Sequence, residues 1–328
     1  MESQQLMRAV VFDQELRFDD QYPVPVPPSG WARIRIHQSG ICQTDLELTR
    51  GYMGFRGVLG HEFVGTVDAC EDESLIGKRV VGEINAACGR CEWCAQELGR
   101  HCPNRRTLGI DRLDGCMADY CILPIDNLLE VPAVISDDRA VLTEPLAAAC
   151  EILEQLEISA DQKVVVLGDG RLGILCAWVL SSVNPNVTLI GHHPDKMEKA
   201  TWRTLRTARQ PQEIEAAVDI VVDATGSGQG LADAMQLCKP RGTIVLKSTV
   251  ASQGSLNLAP IVINEITLLG SRCGQFKDAL DIMQRFPDLP LERLISSRYP
   301  VERAEAAFDE ALHHKPLKVI IEFGERSG

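Results

Sequence analysis

The chain has 328 residues, 45% hydrophobic and 24% charged, the proportions of a globular protein long enough for two domains. A formal net charge of -13 without a segregated basic cluster argues against nucleic acid as a partner, and no run of about eighteen apolar residues offers a membrane span. The opening Met1-Glu2-Ser3-Gln4-Gln5 has neither the basic nor the apolar region of a secretory signal, so a cytoplasmic location is expected, with the twelve cysteines as thiols or metal ligands.

Met7 to Phe12 alternates as a strand, with Glu15 to Phe18 as its hairpin partner, and Pro23, Pro25, Pro27 and Pro28 make a stiff extended connector. Trp31 to Ile36 has strand period and delivers the chain to Cys42. Between Cys42 and Glu62 stand a thiolate, an imidazole (His61) and a carboxylate, ligands of the kind Zn²⁺ takes, and three protein ligands leave a fourth position for water or substrate. The plainer alternative is a buried thiol and an ordinary hydrogen-bonded histidine. Phe63 to Val67 and Lys78 to Gly82 extend a small β-rich domain in which no helix is expected. Cys88, Cys91, Cys94 and Cys102 follow in the spacing C-x2-C-x2-C-x7-C, which can enclose a structural zinc completely; an iron–sulfur cluster or four unrelated thiols are the rival readings.

Pro145 to Leu156 has helical spacing. Val164 to Leu167 is a continuous apolar run, as in a parallel strand covered on both faces. Gly168-Asp169-Gly170-Arg171-Leu172-Gly173 follows it and opens a helix, the context in which such a glycine pattern binds a dinucleotide pyrophosphate. The next strand, Val187 to Ile190, ends without the acid that would accept from the ribose of NAD. His192, His193 and Lys196 stand there instead, which favours NADP; Asp195 bending back to the ribose is the alternative. Asp219 to Asp223 and Thr243 to Lys247 read as further parallel strands, with Thr225 and Lys247-Ser248-Thr249-Val250 at their carboxyl ends. Glu265 to Leu269 leads to Arg272, and the helices Lys277 to Arg285 and Glu302 to His313 precede a last strand, Lys318 to Glu322. The interval between Ala200 and Ala217 is short for a full βα unit.

The loop Cys42-Gln43-Thr44-Asp45, the segment Gly60-His61-Glu62-Phe63-Val64-Gly65 and the four-cysteine lobe, in this order, resemble the zinc-containing medium-chain dehydrogenase/reductase family, nearest its polyol (sorbitol) and threonine dehydrogenase branch. The resemblance implies an α/β protein: a GroES-like β-barrel catalytic domain over residues 1–145 with its zinc lobe at 88–102, a Rossmann doubly wound parallel sheet over 146–272, and a return to the first domain over 273–328. It implies Cys42 and His61 as catalytic-zinc ligands with Glu62 or Glu144 as the third, Thr44 at the substrate oxygen, and Asp45 orienting the histidine. Glu47 stands where polyol and threonine members carry a relay histidine, and Gln43 where many relatives have glycine. Arg272 is implied near cofactor or substrate and Lys318 on the pyrophosphate. The expected activity is hydride transfer between a secondary alcohol or polyol, or the matching carbonyl, and NADP or NAD, by a homodimer or homotetramer. Tyr52, Phe55 and Arg56 are expected to line the substrate pocket or to pack the loop. A zinc-free quinone or enoyl reductase on the same fold, or a nucleotide-binding redox sensor without turnover, are the competing readings.

Overall fold

The computed structural model describes residues 5–215, 217–248 and 257–324, so the readings of Met1 to Gln4 and of Thr249 and Val250 lie outside the described residues. The chain divides into one unit of Met1–Glu144 with Leu291–Gly328 and a second of Pro145–Pro290.

In the first unit the strand Trp31–Gly40 is central. Its alternation turns Ala32, Ile34 and Ile36 into the core, and one edge pairs antiparallel with Glu62–Ala69. The other edge is shared: Tyr120–Pro124 pairs with its first half, and Lys318–Glu322 pairs with Gln38, Ser39 and Gly40. The last strand of the chain therefore arrives beside the residues that lead into Cys42. A separate three-stranded sheet holds the opening hairpin, Leu6–Asp13 with Glu15–Pro23, and the short strand Gly57–Val58. Val10, Ile41, Leu46, Leu59, Phe308 and Ile321 belong to one buried cluster, so the C-terminal return completes the core beneath the Cys42 loop. Burying side chains of this size stabilises by about 1.5–3 kcal/mol each.

The expectation that this unit lacks helices is corrected by the helix Gln43–Leu48. Cys42 stands at its N-cap, and the Asp45 carboxylate reaches back to accept from the Cys42 amide at 2.8 Å, satisfying a donor that the first turn leaves open.

The second unit holds a six-stranded parallel sheet in the order Arg206–Ala208, Val187–Ile190, Val164–Leu167, Val218–Asp223, Cys238–Leu246, Thr267–Gly270. This is the doubly wound order, and all four residues of Val164–Leu167 are buried. Among the described residues, the connection after Arg206–Ala208 contains one 3₁₀ turn, Pro211–Glu213, where a full unit would place an α-helix. The unit extends past the boundary at 272 expected from the resemblance. The helix Phe276–Arg285 packs within it, and Phe286 and Asp288 hold Trp202 by an edge-to-face ring contact at 5.8 Å and a 2.9 Å indole hydrogen bond. Among the described residues, no helix is long and apolar enough to cross a membrane.

Candidate active site

Cys42 ends the approach from the central strand, whereas His61 and Glu62 lie at the start of the strand paired with it. Antiparallel pairing of Gly40 with Glu62 brings the two segments together, and ligand atoms of Cys42, His61 and Glu62 lie within 4.8 Å of one another. Asp45, fully buried, fastens both sides. One oxygen accepts from the Cys42 amide; the other accepts from the Gly60 amide at 3.2 Å and stands 3.3 Å from His61 Nδ1. A carboxylate beside Nδ1 orients the ring and leaves Nε2 to act as ligand.

Burial opposes protonation of His61, but the Asp45 charge and then Cys42 outweigh it and hold the imidazole pKa well above its ordinary value. The ring thus sits in an anionic field inside the protein, and sulfur, imidazole and carboxylate are a donor set suited to zinc. The donors fit a cation. Thr44 Oγ lies 3.9 Å from Cys42 Sγ, close to the same centre.

The Glu62 carboxylate is fully buried and forms an ion pair with the ammonium of Lys318, which also donates to the Ile41 carbonyl at 3.1 Å. A Cβ on Gly40 would lie 2.4 Å from Glu62 Oε2 and 3.1 Å from Lys318 Nζ, so glycine there makes room for the pair. This corrects the expectation for Lys318: its charge is engaged on the Glu62 carboxylate rather than offered to a pyrophosphate. Glu144 stands outside the cluster of Cys42, His61 and Glu62, at the start of the helix Thr143–Gln155. Glu47, expected as a relay group, accepts from Gln43 at 2.7 Å and pairs with Arg50 at 2.9 Å on the outer face of its helix. Phe55 and Arg56 line a cavity of about 310 Å³ with Tyr22 and Asp114, and Tyr52 is exposed.

In the lobe, the Cys91 sulfur lies 3.5 Å from that of Cys94 and 3.7 Å from that of Cys102, and Cys88 is 4.0 Å from Cys94. Four thiolates about 2.3 Å from one tetrahedral ion stand roughly 3.8 Å apart. The spacing therefore fits a single ion and is too tight for a cluster whose thiolates bind different irons. The Arg90 amide lowers the Cys88 thiol to about 6, whereas against the Cys94 amide burial and the neighbouring thiols push Cys91 up to about 11.

In the second unit the glycines of Gly168 to Gly173 have different reasons. Gly168 has φ +108°, and a Cβ on Gly173 would lie 1.8 Å from the Gly168 carbonyl oxygen. Gly170 has φ −71°, and a Cβ there would meet nothing within 4 Å. Nothing in the polypeptide requires glycine at 170, which fits close approach by a ligand from outside, at the N-terminus of the helix Arg171–Ser181 where Arg171 and Leu172 begin. Thr225 is fixed by its hydroxyl on Asp223 at 2.8 Å, at the carboxyl end of a strand. The Arg272 side chain is exposed; its carbonyl, with Ser271 Oγ, takes the buried Lys247 ammonium at 3.0 Å. His192 is exposed and Lys196 half-buried, whereas the His193 ring lies 3.0 Å from both oxygens of Asp169. His193 therefore faces a carboxylate, whereas its positive charge was expected to be offered to a 2′-phosphate beside His192 and Lys196. Reasoning from sequence passed over Asp169; the signal was the pairing of an acid inside the glycine turn with Gly191 at the end of the next strand.

The alcohol dehydrogenase GroES-like domain matches residues 28–133, and the glucose dehydrogenase C-terminus matches residues 137–323, more than half of the chain. Starvation-sensing protein RspB of Escherichia coli is 26% identical over 92% of this chain and 95% of that protein. A sorbitol dehydrogenase of Halalkalibacterium halodurans is 25% identical over 91% and 93%. A solved Sinorhizobium meliloti protein classed as a zinc-binding dehydrogenase, bound to NADP, superposes with a TM-score of 0.87 at 25% identity, covering 98% of this chain and 100% of that one. With both halves matched and the two-part architecture in place, the chain belongs to the medium-chain dehydrogenase/reductase family of the alcohol dehydrogenase superfamily, among its NAD(P)-dependent polyol and alcohol oxidoreductases.

Proposed function

We propose that the chain is a zinc-dependent dehydrogenase that transfers a hydride between a secondary alcohol or polyol, or the corresponding carbonyl, and NAD(P). The observation that carries this reading is the single buried carboxylate of Asp45 fastening the Cys42 and His61 segments beside Glu62. Cys42, His61 and Glu62 would hold a zinc ion, which when bound would supply Lewis-acid polarisation of the substrate oxygen. Asp45 keeps the His61 ring in one tautomer and orientation. Thr44 Oγ, near the cysteine sulfur, accepts and passes the proton of the substrate hydroxyl. Lys318 balances the charge of Glu62 in a place shielded from solvent. Cys88, Cys91, Cys94 and Cys102 hold a second, structural zinc.

Glu62 is the preferred third ligand over Glu144, because it alone joins the cluster. Assembly as a dimer or tetramer would use the outer edge of the parallel sheet, where the strand Thr267–Gly270 lies beside the helix Ala259–Ile263 with Val262, Ile263 and Leu268 exposed.

A screen of secondary alcohols, polyols and their carbonyls with NAD⁺, NADP⁺ and the reduced forms, run beside Cys42→Ser, tests the reading. Turnover that requires Cys42 supports it. Carbonyl or enone reduction that survives Cys42→Ser would place the chain with the zinc-free reductases, and cofactor binding without turnover on any member of the panel would identify a sensor.

A further inference from the structure

The loop that follows Val187–Ile190 carries the choice between the two nicotinamide dinucleotides, and the inference drawn from it rests on the reading of the second unit as the nucleotide site. In such units an acid at the end of the second strand accepts from the adenosine ribose, and its charge repels a 2′-phosphate. Here that strand ends at Ile190 and is followed by Gly191. A Cβ on Gly191 would lie 2.3 Å from Asp169 Cβ and 2.6 Å from Asp169 Oδ2. The space that a strand-end acid needs is therefore filled by a carboxylate brought from the glycine turn. No left-handed φ accounts for this glycine; what excludes a side chain is chiefly Asp169, with Met197 Sδ at 2.5 Å.

The Asp169 side chain is held in that place. It accepts the His193 amide at 2.7 Å and meets His193 Nδ1 at 3.0 Å, and the His192 amide also supports its charged form. Despite burial, these donors keep its carboxyl below the ordinary carboxylate range. A carboxylate offers about four acceptor sites, and these donors take three of them. One direction remains for a ribose hydroxyl. Asp169 lies between Gly168 and Gly170, so it stands next to the backbone over which a pyrophosphate passes.

We infer that Asp169 is the specificity-determining residue for the cofactor: it accepts from the adenosine ribose in place of the missing strand-end acid and selects NAD(H) over NADP(H). The imidazole of His193 is turned onto this carboxylate, 3.0 Å from its oxygens, rather than left free for a 2′-phosphate. The preference for NADP expected from His192, His193 and Lys196 is thereby reversed.

Equilibrium binding of NADH and NADPH, followed by nicotinamide fluorescence on the full chain, tests this. Wild type is expected to bind NADH at least about tenfold more tightly than NADPH, the scale of one hydrogen bond to a charged group. Asp169→Asn keeps the shape and removes the charge, and is expected to bring the ratio close to one. The double variant Asp169→Gly/Gly191→Asp moves the acid to the strand end, into the vacated space and with Met197 swinging aside, and is expected to restore the preference for NADH. A merely structural role for Asp169 would weaken both dinucleotides alike. Wild type binding NADPH as tightly as NADH, or Asp169→Asn leaving the ratio unchanged, would overturn the inference while the nucleotide reading stands. Wild type binding neither would overturn both.

Discussion

Replacing Lys318 with methionine tests the core of the catalytic unit. Its ammonium and the Glu62 carboxylate are both fully shielded from solvent, and methionine keeps most of the volume while removing the charge. Breaking such a pair from one side costs about 3–5 kcal/mol, because the remaining charge stays in a medium that solvates it poorly. For a unit of this size each kcal/mol moves the melting midpoint by about 2–4 °C, so Lys318→Met should melt roughly 6–20 °C below wild type when chelator is present. Adding zinc should recover part of that loss, since a cation beside Glu62 offsets its charge. The double variant Lys318→Met/Glu62→Gln removes both charges and should melt well above the single variant, a coupling visible by calorimetry in a double-mutant cycle. A single variant within about one degree of wild type, or simple additivity in the double, would refute the reasoning.

Asp45→Asn should weaken zinc binding at the Cys42 and His61 centre by about 10–100-fold, measured by competition with a chelating dye, while the lobe keeps its metal; unchanged affinity would remove Asp45 from its role. Leu268→Lys, on the exposed sheet edge, should shift the sedimenting species toward the monomer without changing the circular dichroism spectrum, and an unaltered mass would contradict assembly through this edge. Hydrogen bonding from His37 at 2.9 Å, assisted by Arg79 at 3.0 Å, holds the Asp137 carboxyl below its usual range against the effect of burial. That stabilisation is complete above the unfolded pKa of about 3.9 and is lost as pH falls through the lower folded value. Asp137→Asn should therefore be less stable near neutrality and lose less stability on acidification than wild type; equal acid slopes in urea titrations would contradict this.

The parts legible from sequence are those whose chemistry is local. Cys88, Cys91, Cys94 and Cys102 lie within one short loop, so spacing alone brings four thiols to one centre. Val164 to Leu167 followed by Gly168 announces a parallel strand and its turn, because apolar run and glycines are neighbours in the chain. Contacts between distant residues were not legible. Glu62 and Lys318 are 256 positions apart, and only the pairing of the last strand with the central one explains why the lysine is buried on the carboxylate. Gly191 reads as an ordinary turn residue until Asp169 is seen to fill the space of its missing side chain. The boundary at 272 was misplaced for a related reason: what binds Phe276–Arg285 and its following residues to the second unit includes the partnership of Trp202 with Phe286 and Asp288 across the fold.

Titration of zinc into chelator-treated protein, with NAD⁺-linked oxidation of a turned-over alcohol recorded at each addition, tests the catalytic reading most directly. Two ligand groups stand among the described residues, so wild type should take up two ions per chain, and turnover should rise only as the Cys42, His61 and Glu62 site fills. Cys42→Ser should bind the lobe ion alone and remain inactive. Full turnover before any zinc is added, or in Cys42→Ser, would contradict a catalytic metal at this centre.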